Sequence, residues 1–230
     1  MRKKMVNVLT CGALLCAMGT AGAAPATDYD AGKVTLEAGA VLAPDTKISF
    51  AGDKYTGDDK TRFYGGATVG LGNNIALSYQ YAETKVNNIQ PLPNSYGTFK
   101  TQDINLNYKI NENLYAYMGD LHAKGHAHAA ATTRSGSWTT TSTADVRSSN
   151  DRFQVGVRYV STPIDHVGFW AGIGGGEHLF RAELGGYYNI TPNLDFDLSY
   201  RYMKFNKVGA SDSETDLKLK GLYTGVSYHF

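Results

Sequence analysis

Apolar and polar residues alternate one by one through most of this chain, and the polar positions carry charge in mid-run. In "RFQVGVRYV", Phe153, Val155, Val157 and Tyr159 share one face, and Gln154, Gly156 and Arg158 the other. "LDFDLSYRY" sets Leu194, Phe196, Leu198, Tyr200 and Tyr202 against Asp195, Asp197, Ser199 and Arg201. "RFYGGATVGL", "IALSYQYA", "DINLNYKI" and "LFRAELGGYYNI" repeat the pattern. A period of two means strands with unlike faces; helical spacing fits none of these runs. The polar faces hold Arg62, Lys109, Arg158, Arg181, Glu183, Asp195, Asp197 and Arg201. The core of a small soluble barrel does not bury so many charges. Turned inside out the conflict disappears, with the apolar face against lipid and the charged face lining a lumen.

The connections support this reading. "GLGNNI", "KINENL" and "NITPNL" are tight turns, and "VSTPID" is a looser copy. Asn, Gly and Pro favour such reversals. Between these hairpins lie polar stretches at 44–60, 86–98, 124–150 and 206–214 and the short "GGGEH". Short turns alternating with long loops are the layout of an outer-membrane barrel. The expected strands lie near 31–43, 60–72, 75–86, 99–110, 114–123, 151–161, 166–174, 178–190, 194–206 and 215–230. The fold expected is therefore an all-β antiparallel up-and-down barrel of about ten strands, with eight as the alternative. "HVGFWAGIG" is the least secure strand. Phe63, Tyr81, Phe153, Phe180 and Tyr202 fall near the loop ends of their strands. Tyr108, Tyr159, Tyr188 and Phe196 fall near the turn ends, giving two interfacial belts.

The first residues form a separate unit. Arg2, Lys3 and Lys4 precede an apolar run from Val6 to Met18, and Ala21-Gly22-Ala23 fits a signal-peptidase site. The expected division is a signal peptide over 1–23, with cleavage after 26 as the alternative, and a barrel over 24–230. Three basic residues leave with the signal, turning 22 basic against 21 acidic into 19 against 21. A slightly acidic chain argues against nucleic acid as a partner. Cys11 and Cys16 leave too, so the exported form has neither disulfide nor thiol chemistry. No later run reaches the ~20 apolar residues of a spanning helix, whereas a spanning strand needs only ~9–11 alternating ones.

"NITPNLDFDLSYRYMKF" and the terminal "GVSYHF" resemble the small outer-membrane barrels of Gram-negative bacteria, the opacity-type and outer-membrane-protein-A-like transmembrane barrels. The resemblance implies a place in the cell outer membrane. It also implies that the closing strand, with Tyr228 and Phe230, is the signal read by the barrel assembly machinery. That strand should face lipid through Leu222, Thr224, Val226, Tyr228 and Phe230 and pair with the first strand near residues 34–42. Leu217 and Leu219 are out of phase with Leu222, which predicts a bulge near Lys220–Gly221 or a change of face.

Candidate chemistry is sparse. His122, His126 and His128 are weak metal candidates, since imidazoles two to four apart can share an ion. Asp151, Glu177, His178 and Asp216 stand at the rim, where an omptin-type hydrolase would activate water. No motif singles them out, and neither an enzyme nor a cofactor is expected. Arg158, Arg181, Glu183, Asp195, Asp197 and Arg201 should form a charge network in the lumen. With Tyr64, Trp170 and Tyr187 beside it, that network should fill the barrel, because open channels belong to barrels of about 16 strands. Lys54, Lys60, Lys85, Lys100, Lys204, Lys207, Lys218 and Lys220 lie where lipopolysaccharide phosphates would sit. The function expected is structural or surface-interactive, with loops offered to extracellular ligands and the wall in contact with outer-membrane lipid and lipopolysaccharide. A narrow pore is the alternative and an omptin-type surface hydrolase the second.

Overall fold

The computed structural model describes residues 25–50, 53–60, 62–90, 96–135, 138–206 and 215–230. The signal segment and Lys207 lie outside them. Eleven strands follow in order: β1 (Val34–Phe50), β2 (Asp53–Lys60), β3 (Arg62–Gly72), β4 (Ile75–Gln90), β5 (Tyr96–Lys109), β6 (Leu114–Ser135), β7 (Trp138–Val160), β8 (Val167–Gly176), β9 (Leu179–Thr191), β10 (Leu194–Phe205) and β11 (Thr215–His229). Strands β2 and β3 both lie between β1 and β4, so eleven strands fill ten places. Every pairing is antiparallel, and β11 pairs with β1 from Thr35↔His229 to Leu42↔Leu222, closing the ring. The expected ten-stranded barrel is thus present, and the insecure stretch forms β8, paired on both sides.

Alternation sets the two faces. The outward positions hold exposed Phe63, Phe153, Leu184, Leu198 and Val226, while Gln154, Trp170, Arg181, Glu183, Asp197 and Ser227 are buried inside. This inversion of the soluble pattern is stable only where the outer solvent is lipid. The turns are built as their residues dictate. Asn73 and Asn74 have φ of 52° and 64°, and Asp165 and His166 have 50° and 70°, as hairpin reversals between right-twisted strands require.

Two expectations are corrected. The bulge lies in β1, not β11: β1 takes three steps from Leu42 to Asp45 while β11 takes two from Leu222 to Lys220. Pro44 explains the site, because it has no N–H to give a ladder. Leu219 does not mark a change of face. It points inward in phase with Tyr223 and Ser227 and is buried. The second correction concerns the stretches expected as loops: the described residues of 44–60 and 86–98 are ladder in β1, β2, β4 and β5. The stretch 124–150 is ladder too, paired without interruption from Leu114↔Tyr159 to Ser135↔Trp138. Thr139, Thr140, Thr141, Thr143 and Val146 are β-branched and favour extension, and no Pro interrupts them. From Lys124 to the reversal, this hairpin continues for about 40 Å along the strand.

Candidate functional site

The interior is the candidate site, and three layers fill it. At the turn end, Ala26, Tyr29, Ala76, Tyr115, Val160, Trp170 and Tyr187 form an apolar and aromatic layer. Part of it comes from the segment before β1. The Gly72 amide donates to the Tyr29 carbonyl at 3.0 Å, the Gly32 amide to the Gly70 carbonyl at 3.0 Å, and Lys109 Nζ to the Thr27 carbonyl at 3.4 Å. The Tyr29 and Tyr115 rings meet edge to face at 5.5 Å. Burial pushes the Tyr29 phenol up to about 12, with the Arg158 guanidinium pulling it back.

The middle layer is ionic. Glu183 on β9 is the hub: Oε1 accepts from Arg158 Nε at 2.7 Å, while Oε2 stands 3.6 Å from Arg201 and 4.0 Å from Arg181. Arg181 donates to Asp103 Oδ2 at 2.6 Å and to Gln154 Oε1 at 3.2 Å. Gln154 donates to Asp103 at 2.5 Å and to Asn105 at 2.8 Å. The Arg158 and Arg181 guanidiniums also lie over the Tyr117 ring at 5.7 and 5.6 Å. Glycine makes room for that ring, since a Cβ at Gly156 or Gly174 would collide with it. A void bounded by Gln80, Asp103, Arg181, Glu183, Arg201 and Tyr223 measures about 30 Å³. At ~10–15 Å³ for each solvent centre, it has room for a couple of waters.

The six candidate charges do not form one cluster. Arg158, Arg181, Glu183 and Arg201 come together. Asp195 stands apart, accepting from Asn189 at 2.5 Å and lying 2.8 Å from His229 Nε2, whose Nδ1 is 3.0 Å from Thr35 Oγ1. That chain ties β10, β11 and β1 at the closing seam. Asp197 is 1% exposed, and neither carboxylate oxygen has a hydrogen-bond partner among the described residues; nor has the Ser199 hydroxyl. Sequence reasoning missed Asp103, Asn105 and Gln154 as members of the network. Alternation placed all three on the polar face, but only the closed register brings β5 opposite β9.

The outer layer is apolar: Leu121, Ala123, Leu179, Phe205 and Leu219, with Phe99 and Met203 against them. The other candidates lie outside the lumen. His122 contacts Asp151 through Nδ1, and His126 and His128 flank the Tyr96 ring at 6.1 and 5.1 Å. Among the described residues, no group of three His, Cys, Asp or Glu is placed to hold a metal. Glu177 stands 3.6 Å from its neighbour His178, and the Asp216 side chain lies outside the described residues. A groove of about 480 Å³ opens at the turn end between Asp28, Asp30, Lys109, Glu112 and Pro163.

Comparison with solved structures gives the outer membrane protease OmpT from Escherichia coli, 9% identical over 90% of this chain and 99% of that one, with a TM-score of 0.55. It also gives Neisserial surface protein A, 19% identical over 86% and 99%, with a TM-score of 0.43. A third is Ail, the attachment invasion locus protein of Yersinia pestis, 16% identical over 87% and 99%, with a TM-score of 0.41. At such identities the likeness concerns the fold alone. No curated protein matches the sequence. Residues 13–230 match the family described as outer membrane protein beta-barrel domain. This chain, a closed ten-place barrel with an apolar exterior and a charged interior, belongs to that family, as a protein of the cell outer membrane.

Proposed function

We propose that this barrel is a sealed, non-catalytic surface protein. It anchors in the outer membrane and holds out its loops, chiefly the β6–β7 hairpin, to extracellular partners. The observation that carries the reading is the filled lumen. An ionic layer centred on Glu183 lies between two apolar layers, with a void of about 30 Å³ in its midst. An ion crossing it would have to displace Trp170 and Tyr187 at one end and Phe205 and Leu219 at the other. Planar-bilayer recording of the purified barrel tests this. The expected trace shows no conductance steps, and steady single-channel steps would replace the reading with a narrow pore. A peptide-cleavage assay addresses the hydrolase alternative. No turnover is expected, and turnover lost in Asp151→Ala or His178→Ala would establish the enzyme instead.

A further inference from the structure

The projecting hairpin leaves one strand edge outside the sheet. On its β6 side, β7 is laddered from Trp138 to Tyr159. On its other side the pairing with β8 stops at Gln154, and no described residue pairs with that edge over positions 139–153. Such an edge is about 50 Å long at ~3.3 Å per residue. An edge of this kind offers backbone N–H and C=O groups to another strand, and proteins commonly blunt it with Lys, Pro or a bulge. Positions 139–153 hold no Lys and no Pro, and their ladder with β6 runs without a bulge. Thr139, Thr140, Thr141 and Thr143 are β-branched and favour the extended chain.

Charge along the edge says which strand fits it. Its central residue is Val146, with Asp145 on one side and Arg147 on the other. Two copies of the edge laid antiparallel over their whole length put Val146 opposite the partner's Val146. Asp145 then stands opposite the partner's Arg147, and Arg147 opposite the partner's Asp145. The other charges of the edge, Asp151 and Arg152, meet only threonines, at positions 141 and 140. Opposite charges directly across a sheet stabilise the pairing and like charges destabilise it. Parallel pairing about a twofold axis gives the reverse, because every residue then faces its own copy, aspartate against aspartate and arginine against arginine. From the unladdered edge and its self-complementary charge we infer that β7 is a docking surface for a second copy of this chain, joined antiparallel by strand addition. β7 descends from the hairpin tip to the barrel, so antiparallel copies approach from opposite directions. The two barrels therefore sit in facing membranes, and the hairpin is a homophilic contact between cells. The inference names a partner for the surface role proposed above. It rests on that display of the hairpin and not on the sealed lumen.

The test uses full barrels in phosphatidylcholine vesicles, in two populations carrying different fluorophores, with the hairpins outward as checked by external proteolysis. Wild-type vesicles should cluster across the populations and ignore protein-free vesicles. Asp145→Arg and Arg147→Asp each set like charges opposite one another at two places in the contact, and each should slow clustering by about tenfold. Vesicles of the two variants mixed together should cluster as wild type, because their charges complement each other. The double variant Asp145→Arg/Arg147→Asp should do the same. Under mild oxidation Val146→Cys should give a dimer linked between vesicles, since position 146 faces itself, and Thr141→Cys should not. Wild-type vesicles that fail to cluster overturn the proposal. So does clustering that neither single variant weakens, or that mixing the variants does not restore. Equal adhesion to protein-free vesicles would make the partner a lipid surface, and Val146→Cys dimers confined to single vesicles would put both copies in one membrane; either result overturns it as well. A sealed barrel that does not cluster would sink this inference alone, and a conducting barrel that clusters would sink the sealed reading alone.

Discussion

Glu183 and Asp197 are both buried carboxylates on neighbouring strands, yet their substitution should have opposite consequences. Glu183 faces three arginines, and Glu183→Gln leaves Arg158 and Arg201 without their counter-charge. Removing one partner of a buried ionic cluster costs about 3–5 kcal/mol. Urea titration of the barrel in lipid vesicles should show a loss of that order. Neither carboxylate oxygen of Asp197 has a hydrogen-bond partner among the described residues, so Asp197→Asn removes a buried charge and should leave the midpoint unchanged or raise it. A midpoint that falls as far for Asp197→Asn as for Glu183→Gln would refute this division. Tyr29 gives a pH test. Its phenol is raised from 10.0 to about 12, so the folded state holds the proton after the unfolded chain has lost it. The stability it contributes is complete below pH 10 and drains away as pH rises towards 12. Proteolysis of the segment before β1 should accelerate across that window, and Tyr29→Phe should abolish the acceleration. The sequence marked which side chains point inward, because alternation alone decides that. It did not mark their partners. Asp103 and Arg181 are 78 residues apart and meet only because the closed register brings them across the lumen.

The strands show the same division between what is local and what is not. Their number and the tight turns follow from short-range pattern, and so does the pairing of the last strand with the first, since an open edge is not tolerated in lipid. The bulge was expected in β11 because Leu217 and Leu219 break its apolar phase. In fact Leu219 helps build an apolar layer inside the barrel, and Pro44 places the bulge in β1. An apolar inward residue is indistinguishable from a phase slip until the interior is known. Tyr117 is a further case: its ring fills the space that Gly156 and Gly174 leave open. Gly156→Ala should cost about 1–3 kcal/mol by overpacking. If the ring is the obstacle, Tyr117→Leu should recover most of that loss, and a double-mutant cycle in vesicles will measure the coupling. Purely additive effects would mean that the glycine serves the backbone instead.

The barrel divides into a closed wall and a projecting hairpin, and the two should be separable. In the wall every strand is paired with at least two others, and three interior layers bind opposite sides together. Beyond Lys124 and Ser149 the β6–β7 ladder continues, but β8 ends its pairing with β7 at Gln154, and β5 ends its pairing with β6 at His128. Beyond His128 the hairpin therefore pairs with no third strand among the described residues and adds nothing to ring closure. Joining His126 to Arg147 through a two-residue Asn-Gly turn keeps an opposed pair at the new tip and satisfies the preferred hairpin geometry. The shortened barrel should insert into membranes and keep its heat-modifiable migration on gels. It should also remain closed to ions, while losing any binding of extracellular partners that the full chain shows. A shortened protein that fails to assemble would make the hairpin part of the fold. One that assembles and binds as before would move the contact surface to the other loops.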